Sequence, residues 1–205
     1  MKKTAILLIG PTGSGKTPLG DYIAQHGLNR IEYAHFDFGE LLRQTAAGTR
    51  DSGISSSDVR FLKDILEKGA LLEKQTFYLA KKIITHFNRN TPAKAVVLNG
   101  LPRHVDQAKD VAPWFDIQAV LRLQCSPEVV MARILTNAGN DRTARTDDAL
   151  LLVQKKLQIF IERTAPLCDW FAANGVPVID VPILVSTSPE SIVKQIENNL
   201  PSLSF

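Results

Sequence analysis

Glycine, lysine and threonine recur near the start of this chain at a spacing that suits phosphate. Gly10-Pro11-Thr12-Gly13-Ser14-Gly15-Lys16-Thr17 matches G-x-x-x-x-G-K-S/T at every fixed position. Gly10, Gly13 and Gly15 let the backbone curl tightly, so that its N–H groups, that of Ser14 among them, point inward at an anion. Lys16 is placed to reach β- and γ-phosphates, and the Thr17 hydroxyl to ligate Mg²⁺. The chemistry implied is binding of a nucleotide's phosphates together with Mg²⁺.

The elements that must hold this loop are legible on either side. Thr4-Ala5-Ile6-Leu7-Leu8-Ile9 is a short apolar run that reads as a buried strand. Leu19, Tyr22 and Ile23 recur at helical spacing. Pro18 falls in a first turn whose N–H groups have no intrahelical partner, so it is tolerated. The helix adds the positive end of its dipole to the phosphate site.

Composition narrows the class. A chain of 205 residues with 44% hydrophobic content can bury one sizeable α/β core. A net charge of +3 is too small to argue for nucleic acid or a membrane surface as partner. Cys125 and Cys168 lie far apart and form no metal-ligand spacing, which suits a reduced, cytoplasmic setting. The apolar start runs directly into the glycine loop and reads as a core strand, not a signal peptide. No stretch is long enough to span a bilayer, and a monomer is expected.

Periodic helices alternate with short apolar runs along the chain, the pattern of a parallel sheet covered by helices. The second strand is expected at Ile31–His35, the third at Ala95–Leu98, the fourth at Ile117–Leu123 and the fifth at Val176–Val181. Residues 38–87 carry no strand signal. Apolar stripes at Val59, Leu62, Ile65 and Leu66, then at Phe77, Ala80, Ile84 and Phe87, make this block helical. It is too long for a simple crossover, so it reads as a helical subdomain with hinges near Gly39 and Gly69. Ser126 and Pro127 open another helix. A long helix is expected from Asp147, burying Leu150, Val153, Leu157 and Ile161, until Pro166 kinks or ends it. A final helix is expected over 189–198.

Three further stretches carry chemistry. Phe38-Gly39-Glu40-Leu41-Leu42-Arg43 sets an arginine one helical turn beyond a glycine. Asn99-Gly100-Leu101-Pro102-Arg103 follows a strand and leads to Gln107-Ala108. Arg145-Thr146-Asp147-Asp148 opens the long helix, with Lys155-Lys156-Leu157 and Thr164-Ala165-Pro166-Leu167 further along it. In this order they resemble the adenylate kinase family of nucleoside monophosphate kinases. That family shows a G-x-P-G-x-G-K-G-T loop, then T-G-D-x-L-R and D-G-F-P-R-x-x-x-Q-A. An R-x-D-D helix start followed by K-R-L and T-x-P-L completes its pattern. The resemblance covers almost the full chain.

The resemblance implies a three-layer P-loop fold with a five-stranded parallel sheet. Its core is 1–37, 88–136 and 147–205, its monophosphate-binding helical subdomain 38–87, and its short, zinc-free lid 137–146. It implies transfer of the γ-phosphoryl group of ATP to a nucleoside monophosphate, AMP above all. Arg43 and Arg103 would clamp the acceptor phosphate beside Gly100 and Phe38, and Gln107 would hydrogen-bond the acceptor adenine. Arg133 would stack on or border the donor base. Arg145 would bridge the phosphates from the lid with Arg142, and Lys156 would add its charge. Such reactions demand positioned cations more than covalent chemistry, and guanidinium groups serve best.

The departures bear on activity. Asn99 stands where the family has the aspartate that helps hold a Mg²⁺ water, so the metal would rest on Thr17 and the phosphates. Asn137 and Lys156 replace arginines, Phe38 a threonine and Glu40 an aspartate. A P-loop binding module with little transferase activity, and a kinase for another small acceptor, are the alternatives these changes leave open.

Overall fold

The computed structural model describes residues 2–49, 54–68, 70–141 and 150–197. The described residues form five strands and nine α-helices. In chain order they are β1 (Lys3–Ile9), α1 (Lys16–His26), β2 (Tyr33–Asp37), α2 (Phe38–Ala47), α3 (Ser56–Lys68), α4 (Phe77–Asn90) and β3 (Ala95–Asn99). Then come α5 (Val105–Val111), β4 (Phe115–Gln124), α6 (Pro127–Leu135), α7 (Leu150–Ile159), α8 (Pro166–Ala173), β5 (Val178–Pro182) and α9 (Pro189–Glu197).

The strands form one sheet in the order β2-β3-β1-β4-β5, and every pairing is parallel. β1 lies at its centre and buries both faces, as strands of a parallel sheet covered on two sides must. Its alternate residues divide between two cores. Ala5, Leu7 and Ile9 join Phe36 and the apolar faces of α2, α3, α4, α5 and α8. Ile6 and Leu8 meet Leu19 and Ile23 of α1 and Ile192, Val193 and Ile196 of α9. The result is the expected three-layer α/β architecture. In the β3 pairings Asn99 faces both Leu8 and Asp37, so the carboxyl ends of β1, β2 and β3 finish together. Ligands of parallel α/β sheets bind at such ends.

Three sequence expectations need correction. β2 begins at Tyr33, two residues beyond the expected start, because Leu28 and Ile31 bridge each other around a turn with Asn29 at φ 50° and Arg30 at φ 64°. The strand therefore reaches Asp37 instead of stopping at His35. The long helix is not regular: Phe160–Thr164 forms a π turn closed by the Ala165 N–H donating to the Phe160 carbonyl. The wider turn shifts the helix phase. Phe160 packs on the core while Ile161 is 61% exposed; ahead of the π turn Val153 is fully buried and Leu150 is 55% exposed, contrary to the expectation that it is buried. Pro166 does not break the path, since it enters at the first turn of α8, where its missing N–H is not needed.

Between 38 and 87 the described residues hold helices and a short 3₁₀ turn at Lys74–Thr76, and no strand. Ser55 accepts the Asp58 N–H at 3.2 Å at the start of α3. Phe87 of α4 meets Phe36 of β2 edge-on, with ring centroids 4.9 Å apart, so α4 is anchored on the sheet. α3 packs instead against α2. Gly39 lies inside the first turn of α2, and Gly69 lies outside the described residues.

Candidate active site

The phosphate loop is held from within and from behind. Gly15 precedes α1 with φ 94°, a left-handed conformation that favours glycine. A Cβ there would stand 3.0 Å from Arg133 Nη2. Ser14 is fully buried, and its hydroxyl donates to the Pro11 carbonyl at 2.9 Å. Lys16 Nζ donates to the carbonyls of Gly10 at 2.7 Å and Pro11 at 2.6 Å, which folds the ammonium across the mouth of the loop. Arg133 is only 5% exposed. Its Nε donates to Gly13 O at 3.2 Å, and its Nη1 to the carbonyls of Leu184, Val185 and Thr187 at 2.8, 3.0 and 3.1 Å. The guanidinium thus ties the loop to the segment between β5 and α9.

Beneath the loop three side chains converge from three elements. Thr17 Oγ1, in the first turn of α1, donates to Asp37 Oδ2 at 2.5 Å. Asn99 Nδ2, at the end of β3, donates to the same oxygen at 2.7 Å and lies 3.1 Å from Thr17 Oγ1. Asp37 Oδ1 accepts the Glu40 N–H at 2.9 Å and so caps α2. Burial works against the Asp37 charge. The hydrogen bonds from Thr17 and the Glu40 backbone, with His35 and Arg43 nearby, outweigh it and hold the carboxyl below its ordinary range. Thr17 Oγ1 and the Asp37 carboxylate offer oxygens, the ligand type that fits Mg²⁺. Asp37 had no role in the sequence reading. Its signal was an acidic residue two positions before Gly39, hidden by ending the strand too early.

The third part of the site faces the other end of the cleft. Gly100 has φ 83°, and a Cβ on it would lie 3.6 Å from Arg103 Nη2, from Gly39 N and from Phe38 Cβ. The positive φ is what favours glycine at 100; there the turn after β3 lies against the start of α2, with Arg103 beside Gly100 and Arg43 Nη1 3.5 Å from where a Cβ on Gly39 would stand. Arg103 Nε donates to Gly100 O at 3.0 Å. Arg43 is held by Glu40, with Nε at 3.0 Å and Nη2 at 2.8 Å from Oε2. Phe38 is buried against Phe36 and forms a wall. Gln107 is 3% exposed; its Oε1 accepts the Arg103 N–H at 2.8 Å, and its Nε2 donates to Leu72 O at 2.8 Å. One of its amide N–H groups is left for a ligand.

These parts open into a single cleft of about 1510 Å³, counting space continuous with solvent. Lys16, Thr17, Asp37, Arg43, Arg103 and Lys156 all line it. So do Gly139 and Asp141 from the described part of the expected lid. Arg142, Arg145, Asp147 and Asp148 lie outside the described residues. Asn137 has φ 48°, which gives an asparagine at that turn a backbone reason. The cysteines stand apart from the cleft, and burial pushes the Cys168 thiol up to about 11, which leaves it a poor nucleophile.

A parallel sheet with a phosphate loop after its central strand, and arginines facing that loop, defines a P-loop phosphotransferase. A family model described as adenylate kinase matches residues 8–176. An adenylate kinase of Parabacteroides distasonis is 27% identical over 83% of this chain and 85% of its own length. One of Kosmotoga olearia is 25% identical over 94% and 99%, and one of a Synechococcus species 26% identical over 97% of each. The chain belongs to the adenylate kinase family, and with it to the ATP-dependent nucleoside monophosphate kinases.

Proposed function

We propose that the chain transfers the γ-phosphoryl group of ATP to AMP, in the presence of Mg²⁺. The observation that carries this is one continuous cleft. It has Lys16 and the phosphate loop at one end, and Arg43 and Arg103 converging on the Gly39–Gly100 contact at the other. The loop N–H groups and Lys16 hold the ATP phosphates once the ammonium leaves its carbonyls for them. Arg103 and Arg43 hold the acceptor phosphate, each as a two-pronged donor. Thr17 is the residue that would hold Mg²⁺, together with the phosphates, and the ion when bound would neutralise charge on the β- and γ-phosphates. The acceptor phosphate is already ionised, so no protein base is needed. The remaining Gln107 N–H faces the acceptor base, and Lys156 with Arg142 and Arg145 adds positive charge over the transferring group. Water is kept out by closure of the lid, and of the part of the helical block that moves, over the bound pair.

A coupled assay offering ATP–Mg²⁺ with AMP, CMP, UMP, GMP and dTMP in turn tests this, with Lys16→Ala as control. ADP formed fastest with AMP, and lost in the control, is the expected result. Transfer to another monophosphate would move the acceptor assignment. ATP binding without transfer to any of them would leave a binding module or a different small acceptor. Phe38, buried in the family's threonine place, is the observation that favours a different acceptor.

A further inference from the structure

The end of β2 carries a carboxylate that the expected motif does not include. Asp37 and Asn99 are direct partners in the β2–β3 pairing, so their side chains leave adjacent strand ends side by side. One carboxylate oxygen of Asp37 accepts both the Thr17 hydroxyl and the Asn99 amide, at 2.5 and 2.7 Å. The other is fixed by the Glu40 N–H. We propose that Asp37 is the acidic partner of the Mg²⁺ site, placed one strand away from the β3 position, and that Asn99 is the amide that holds it there. This rests on the kinase reading and specifies its metal corner.

Three physical requirements meet at this point. A hydroxyl that offers a lone pair to a cation needs an acceptor for its proton, and Asp37 is that acceptor for Thr17. A P-loop metal site draws negative charge from a protein carboxylate as well as from the phosphates, and an amide at 99 supplies only a dipole. Carboxylates at both paired strand ends would repel each other until one took a proton. An amide at 99 is therefore the partner that a carboxylate at 37 requires. The corner keeps one negative charge, moved sideways by one strand. Asp37 acts through Thr17 and the ion's surroundings, and is a positioning residue.

Binding measurements without any acceptor test this. Mn²⁺, as a stand-in for Mg²⁺, is titrated into ATP-loaded protein and followed by electron paramagnetic resonance. ATP affinity is measured by calorimetry in EDTA and in Mg²⁺. Asp37→Asn keeps the shape, and asparagine is a good helix N-cap, so the fold should hold and a melting curve checks it. The expected result is a loss of about 10- to 100-fold in Mn²⁺ affinity, with ATP affinity in EDTA undiminished. The exchanged pair, Asp37→Asn with Asn99→Asp, is expected to recover most of the metal affinity. An Asp37→Asn protein that binds Mn²⁺ and ATP like wild type would overturn the proposal alone. So would equal loss of ATP with and without metal, or an exchanged pair as weak as the single variant. Wild-type protein that binds no Mn²⁺ with ATP would overturn the kinase reading as well.

Discussion

Arg103 shows how one side chain is prepared by its neighbours. Its Nε is held by Gly100 O and its backbone N–H by Gln107, so the guanidinium is aimed before a ligand arrives. Positioned donors of this kind are worth about 10²–10³ in rate when they face developing charge. Arg103→Ala is expected to lower kcat/KM for the acceptor by that order while ATP affinity stays near wild type. Arg103→Lys should recover only part of it, because an ammonium cannot form the fork. Steady-state kinetics with both substrates varied, plus ATP binding by calorimetry, check this. Loss of ATP binding in the alanine variant would place Arg103 at the donor end instead. Gly15→Ala should act oppositely, since φ 94° and the 3.0 Å approach to Arg133 both resist a Cβ. ATP affinity should fall, and the strain should lower the melting temperature by about 2–4 °C for each kcal/mol it costs. At this scale much of the site was legible: glycine spacing, the lysine and the arginines announce themselves by residue type. Asp37 did not, because a lone aspartate acquires meaning only when strand pairing sets it beside Asn99 and Thr17.

Elements were legible where periodicity is undisturbed. β3, buried at every position, and α6, opened by Ser126 and Pro127, lie where their apolar patterns and caps place them. β2 and the α7–α8 path were misread because their controlling features are backbone events: a left-handed Asn29-Arg30 turn and a π turn leave no apolar signature. The sheet edge offers a test at this scale. Arg122 of β4 and Asp180 of β5 are register partners, with Nε–Oδ1 at 2.5 Å and Nη2–Oδ2 at 2.6 Å. The Arg122 hydrogen bond holds the Asp180 carboxyl below its ordinary range. A carboxyl depressed in the folded state stabilises the fold above the ordinary value, about 4, and loses that contribution as pH falls through the depressed one. Both partners are partly exposed, so solvent screening limits the pair to about 1 kcal/mol or less. Urea unfolding at near-neutral pH is expected to show Asp180→Asn weaker by that amount, with the difference vanishing in acid. A difference that persists in acid would assign the effect to packing.

At the scale of the molecule, the two halves of the cleft are held with different firmness. The phosphate loop is tied into both cores, through β1 on one side and through Arg133 to the segment before α9 on the other. α4 is fixed to the sheet by Phe87 against Phe36, and so is α2 through Phe38. α3 has Leu62 and Ile65 as its buried residues and presents Phe61 outward at 38% exposure. An element with few buried anchors opens at lower free energy than the core it leans on. Closure over two nucleotides should therefore be carried by α3 and not by the whole of 38–87. A bisubstrate analogue joining two adenosines through phosphates gives the measurement. Amide exchange in α3 is expected to slow on binding, while the C-terminal half of α4 stays as protected as in the free protein. Equal protection of both helices would mean that 38–87 moves as one body. An unchanged rate in α3 would mean that the acceptor end is preformed, and that water is excluded from the lid side alone.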